Sequence, residues 1–163
     1  GCFWGVQAAF ELIDGVEKTT VGYSGGDKST ANYDAVCSKS TGHYEVLEIQ
    51  FDSNLLSINE ILGLFFFIHD PTQADGQGND IGPQYLSAII TYASEDQNSV
   101  NDYLQKFQAS TSEKIVTATL HNLEFFAAEE YHQNYLAKNP GGYCHINMVR
   151  VKEFLENHKY RLK

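Results

Sequence analysis

Residues 43–52, HYEVLEIQFD, carry the clearest structural message in this chain of 163 residues. Side chains alternate across a strand, so Glu45, Leu47, Ile49 and Phe51 point one way, and Tyr44, Val46, Glu48 and Gln50 the other. The first face is apolar except at Glu45. Its carboxyl therefore lies against apolar neighbours if the strand end is covered, and in water if it is open; the pattern leaves both readings standing. Upstream, VEKTTVGYSGG (16–26) reads as a second strand that closes in a glycine turn. Before it, Val6, Ala9, Phe10 and Ile13 recur at helical spacing and predict a helix over 4–13, stopped by Asp14-Gly15.

Downstream, Ser57 followed by Glu60 forms a capping box for a buried helix reaching about His69. Pattern then predicts a strand over 85–92, a helix over 96–109, a strand over 115–122 and a helix over 126–138. After KNPGGYCH regularity fades, with a last helical stretch over 152–158. If one further strand precedes Gly1, the first part becomes β-α-β-β-α-β, the split βαβ arrangement. The expected fold is thus α+β: a two-layer plait of ferredoxin-like type, with helices over one face of a mixed sheet and a coil-rich C-terminal segment. Length and the lack of repeats or linkers predict a single domain spanning 1–163, its N-terminal strand lying outside this sequence.

The net charge is −10, with only 11 Lys and Arg, which argues against a nucleic-acid binder because phosphates reward cations. The longest apolar run, near Leu62–Ile68, is about half what a membrane span needs. Three cysteines, an odd number with no close pair, point to free or redox-active thiols in a reducing compartment. A cytoplasmic monomer is expected, with no nucleic acid and no membrane as partner.

Cys2 stands at the first turn of the first helix, where unpaired amides and the macrodipole favour a thiolate. If Glu45 faces apolar surroundings, desolvation raises its pKa and makes it a proton donor near neutral pH. Cys144 lies in NPGGYCHIN, where Pro140 and two glycines break regular structure; a sulfur there can approach another, and equally fits an idle surface thiol. Cys37, with no flexible flank or predicted helix end, reads as structural or incidental. The glycine-rich stretch DGQGNDIGPQY (75–85) is a loop that offers Asp80, Gln84 and Tyr85 to a site. The six histidines show no metal-ligand spacing, so no metal is expected.

Five motifs in order, GCFWG (1–5), GYSGG (22–26), YDAVCSKSTGHYEV (33–46), HDPTQADGQGNDIGPQYLSAI (69–89) and AEEYHQNYLAKNPGGYC (128–144), resemble the peptide methionine sulfoxide reductase A family. The resemblance implies an α/β plait, and a reductase of the S epimer of methionine sulfoxide, free and in proteins, that repairs oxidative damage. It implies that Cys2 attacks the sulfoxide sulfur, that Phe3 and Trp4 hold the substrate methyl, and that Glu45 protonates the oxygen. It further implies that Tyr33, Asp80 and Tyr85 bind and polarise that oxygen. Cys144 would resolve the Cys2 sulfenic acid as a disulfide, which thioredoxin would reopen, with no cofactor. Some members carry a later recycling cysteine, whereas Cys144 is the last here, so thioredoxin is expected to attack the Cys2–Cys144 bond directly. A two-cysteine thiol peroxidase is the alternative, weakened because no arginine occurs before Arg150 to guard a peroxidatic thiolate.

Overall fold

The computed structural model describes all 163 residues. Helix α1 spans Phe3–Phe10, with Cys2 as its N-cap residue. It ends three residues earlier than the periodicity suggests, because Ile13 leaves the helix to form a bridge with Leu162 and is wholly buried. Strand β1 (Val16–Ser24) pairs antiparallel with β2 (Tyr44–Phe51), in a register that sets Tyr23 opposite Glu45. A short helix, α2 (Tyr33–Cys37), precedes β2; its Asn32 cap accepts from the Ala35 amide at 3.0 Å. A five-residue turn has too little periodicity to be read from sequence.

Helix α3 (Ile58–Ile68) opens with the expected capping box: the Glu60 amide donates to Ser57 Oγ, and the Ser57 amide donates to the Glu60 carboxylate. Such a cap is worth about 1 kcal/mol. Burial of Leu62, Leu64, Phe66 and Ile68 contributes more, about 1.5–3 kcal/mol per side chain. The following loop contains a small hairpin, β3 (Gly76–Gln77) and β4 (Asp80–Ile81), then a 3₁₀ turn over Pro83–Tyr85. Strand β5 (Ala88–Thr91) and helix α4 (Ser94–Ala109) follow, with strand β6 (Ala118–His121) parallel to β5.

The helix expected over 126–138 does not form. Phe125–Ala127 is a strand, β7, antiparallel to β1 on the edge away from β2. Gly22 makes that pairing possible: a Cβ there would lie 2.4 Å from the Phe126 carbonyl oxygen. Gln133 then clips the chain to the same edge, accepting from the Val21 amide at 3.0 Å and donating to the Val21 and Ala128 carbonyls. The strand pairing and the two bonds to Val21 join residues more than a hundred positions apart, so local propensity loses to tertiary pairing. What remains helical is a 3₁₀ turn over Glu130–His132 and one turn, α5, over Tyr135–Lys138. Helix α6 (Met148–Asn157) starts four residues before the predicted one, because Asn147 caps it through the Val149 and Arg150 amides. Met148, the only methionine in the chain, opens that helix half-buried beside the core.

The sheet is not continuous: β2-β1-β7 forms one antiparallel unit, and β5-β6 a separate parallel pair. Helix α1 packs on β1 and β2, and α3 packs on α4 and α6. An apolar cavity of about 260 Å³ separates β2 from β5, lined by Phe3, Leu47, Ile49, Ile61, Ile89 and Val100 among others. The main core joins α1, α3 and α6 through Phe10, Ile13, Leu64, Ile68, Val151 and Leu155. A smaller one (Phe3, Val21, Tyr23, Val36 and Ala128) underlies the N-terminus of α1. No helix is long and apolar enough to cross a membrane.

Candidate active site

The open question about Glu45 is answered by its burial: it is 7% exposed, at the start of β2 and opposite buried Tyr23. Its Oε2 accepts the Phe3 amide, the first free N–H of α1, at 3.2 Å. Two effects compete on this carboxyl. Burial favours the neutral acid, while the Phe3 amide favours the anion; burial wins and pushes the pKa up to about 7.

Cys2 is 7% exposed on the same helix turn. Its expected thiolate character is not found. Burial, with the Glu45 charge adding to it, pushes the thiol up to about 12, against a hydrogen bond from the Trp4 amide that favours the thiolate. The helix terminus supplies a local stabilisation of the anion, but a site nearly closed to water opposes it more strongly.

The two phenols expected near the sulfoxide oxygen feel this same corner. Tyr33 is pushed up to about 12 by burial, then by Cys37, Glu45 and Cys2. Tyr85 is raised by burial, then by Glu45, Cys2 and Asp80. Asp80 accepts from the Tyr143 hydroxyl at 3.4 Å and lies 3.7 Å from His145 Nδ1. Cys37, expected to be structural or incidental, interacts with the Tyr33 phenol, although nothing assigns it a chemical step.

Of the two aromatics after Cys2, Phe3 is 1% exposed and packs against Tyr23 and His132 at ring distances of 5.8 and 5.3 Å. Trp4 is half-buried, stacked on Tyr135 at 3.8 Å and 15°, and its Nε1–H donates to His132 Nδ1 at 3.1 Å. Cys144 is half-buried in the coil before α6, its thiol donating to the Ile146 carbonyl at 3.3 Å. It packs on the first turn of α1: a Cβ on Gly5 would lie only 2.9 Å from its sulfur. All three cysteines are free. Both arginines are engaged elsewhere, Arg150 over the Phe67 ring and Arg161 with Asp14, so no guanidinium guards Cys2.

Sequence reading missed Glu129, His132 and His145. Glu129 accepts from the Tyr33 amide at 2.7 Å and from the Tyr23 hydroxyl at 2.9 Å. His145, next to Cys144, has neither ring nitrogen hydrogen-bonded. The density of charged and aromatic residues in EEYHQNY was the available signal, and it was read as helix instead. No cluster of three or more His, Cys, Asp or Glu is arranged to hold a metal ion.

A buried thiol, a buried carboxylic acid whose pKa is raised toward neutrality and a second thiol on coil are groups a thiol-dependent oxidoreductase uses. The peptide methionine sulfoxide reductase family model matches residues 1–163. The peptide methionine sulfoxide reductase MsrA of Alkaliphilus metalliredigens is 47% identical over 148 residues, 91% of this chain and 94% of that protein. Mxr1 from Saccharomyces cerevisiae in its reduced form superposes with a TM-score of 0.83 at 35% identity, covering 88% of this chain and 84% of that one. Mxr1 in complex with Trx2 shares the fold with a TM-score of 0.57 at 24% identity, over 83% and 78% of the two chains. The chain belongs to the peptide methionine sulfoxide reductase family, and it is an oxidoreductase that reduces methionine sulfoxide.

Proposed function

We propose that this protein reduces the S epimer of methionine sulfoxide, free and in proteins, by attack of Cys2 on the sulfoxide sulfur with Glu45 as the acid. The observation that carries this is the Glu45 carboxyl, buried within hydrogen-bonding distance of the residue next to Cys2 and titrating near 7. A sulfoxide is a poor electrophile until its oxygen is protonated or strongly hydrogen-bonded. A carboxyl half-protonated at neutral pH, with the phenols of Tyr33 and Tyr85 and with Asp80 nearby, supplies both where charge develops.

Cys2 rests as a thiol; as the sulfur–sulfur bond forms, Glu45 gives its proton to the sulfoxide oxygen and the resulting carboxylate takes up the Cys2 proton. The oxygen then passes to Cys2 as hydroxyl, methionine leaves, and the net change is thiol plus sulfoxide to sulfenic acid plus thioether. Trp4 walls the substrate methyl, with Phe3 packed in the core beneath the same turn. The Cys144 thiol condenses with the sulfenic acid, water leaves, and a Cys2–Cys144 disulfide remains. A dithiol of the thioredoxin class reopens it by exchange; the yeast relative captured with Trx2 supports that choice. We read the chain as one reductase domain without a cofactor, a cytoplasmic monomer that repairs oxidised methionine. Its architecture fits the two-layer plait if an extended segment occupies the apolar cavity between β2 and β5.

Incubation with dithiothreitol and each epimer of a blocked methionine sulfoxide tests the reaction. Blocked methionine is expected from the S epimer alone. No product from either epimer, in folded protein with a free Cys2 thiol, would sink it; product from the R epimer alone would overturn the stereochemistry.

A further inference from the structure

We propose that His132 is a positioning residue, whose Nδ1 holds the indole of Trp4 in its substrate-facing orientation while Glu129 determines which ring nitrogen carries the proton. Trp4 has two restraints. The stack on Tyr135, at 3.8 Å and 15°, fixes the plane of the indole but leaves it free to turn within that plane. The hydrogen bond from Nε1 to His132 Nδ1 at 3.1 Å is directional and removes that freedom.

A neutral imidazole accepts at one nitrogen only, so an accepting Nδ1 requires the proton on Nε2. His132 is 1% exposed, and burial holds its pKa below the ordinary histidine value, which keeps the ring neutral. Nε2 has no hydrogen-bond partner but faces Glu129 Oε2 at 3.9 Å. That is too long for a bond, yet a carboxylate there favours the tautomer with its N–H on that side. Glu129 also accepts from the Tyr33 amide and the Tyr23 hydroxyl. One carboxylate thus anchors the start of α2, which carries Tyr33, and orients the histidine that anchors Trp4. The ring of His132 meets Tyr33 at 4.6 Å and Phe3 at 5.3 Å, so it also fills the space between these groups.

This inference rests on Trp4 being the wall for the substrate methyl. Trp4 is the only tryptophan in the chain, so the emission reports on its surroundings alone and the indole N–H Raman band on this bond. In the unaltered protein a Raman band of a hydrogen-bonded N–H is expected, and that of a free N–H overturns the tether without any variant. His132→Phe keeps a ring and removes the acceptor; His132→Asn keeps an acceptor near the Nδ1 position and removes the ring. His132→Phe should shift the Trp4 emission and raise KM for blocked methionine S-sulfoxide about tenfold, with kcat within about twofold. His132→Asn should recover most of both. Unchanged emission and KM in His132→Phe, or a worse defect in His132→Asn, overturns the proposal in favour of simple packing. In a Trp4→Phe background His132→Phe should add no further KM effect, and an added effect overturns it as well. A protein without turnover would sink the reductase chemistry, while the Raman and emission arms would still decide the tether.

Discussion

The first turn of α1 and the coil between α5 and α6 each hold one sulfur of the proposed relay, and they are built in opposite ways. Cys2, Phe3 and Glu45 are all at most 7% exposed, and an amide–carboxyl bond ties helix to strand there. Around Cys144, Tyr143 is 48% exposed, both nitrogens of His145 are unpartnered, and no regular element forms between Lys138 and Met148. Between Asn139, tied back to the Tyr135 carbonyl, and Asn147, which caps α6, the local hydrogen bonds are the turn from Gly142 to Asn139 and the Cys144–Ile146 bond. A nucleophile must be held against its substrate, whereas a resolving thiol must cross to it after the product leaves. Few hydrogen bonds on the second segment make that crossing inexpensive.

The largest effect should come from separating the two sulfurs. Cys2→Ser is expected to abolish methionine formation altogether. Cys144→Ser should release about one methionine per enzyme without reductant and leave a sulfenate on Cys2 that a dimedone-type reagent traps. A Cys2–Cys37 disulfide in that variant, found by peptide mapping, would move the resolving role to Cys37, which interacts with Tyr33.

The next effect belongs to the rigid side. Glu45→Gln should slow the single-turnover burst about 10²–10⁴-fold. Because the folded pKa lies near 7, the acid form is lost as pH rises through 7, so the wild-type burst rate should fall above that pH. The variant should show a flat profile over the same range. The sign for stability is the same: the folded carboxyl binds its proton more tightly than the unfolded one, whose pKa is near 4.5. Stability contributed by that proton is full below about 4.5 and is lost as pH climbs through 7, so Tm of the wild type should drop across this window more than that of Glu45→Gln. A burst rate unaffected by the substitution would remove the acid role.

The smallest effect probes the contact between the two regions. Gly5→Ala gains helix propensity but would drive a Cβ to within 2.9 Å of the Cys144 sulfur and 3.0 Å of Ile146 Cδ1. Overpacking of this kind costs about 1–3 kcal/mol, more than the ~1 kcal/mol that alanine returns to the helix. Tm should fall by a few degrees and disulfide formation should slow several-fold, while the burst is unchanged. A slowed burst with normal disulfide formation would place the contact on the Cys2 side instead.

Local pattern was enough for β2, for α3 and its capping box, and for the place of Cys2 at a helix start. These depend on side chains within a few positions of each other. The strand at Phe125–Ala127 overlaps the start of the helix that pattern predicts over 126–138, because its partner, β1, lies about a hundred residues away. The same holds for the thiol of Cys2. Helix position favours its ionisation and is visible in sequence, but the burial that reverses the outcome comes from β2 and the small core beneath. Glu129 and His132 were hidden for a related reason, since their partners Tyr23, Tyr33 and Trp4 are between 96 and 128 residues distant.

One detail of α6 bears on the conditions under which such an enzyme works. Its first residue, Met148, is the sole thioether in these 163 residues, and it is half-buried against the main core. Oxidants that create the substrate therefore find a single methionine to attack in the catalyst itself, at a helix end where an added oxygen can turn toward water. Across these 163 residues the fold thus holds one position at which its own substrate group could form.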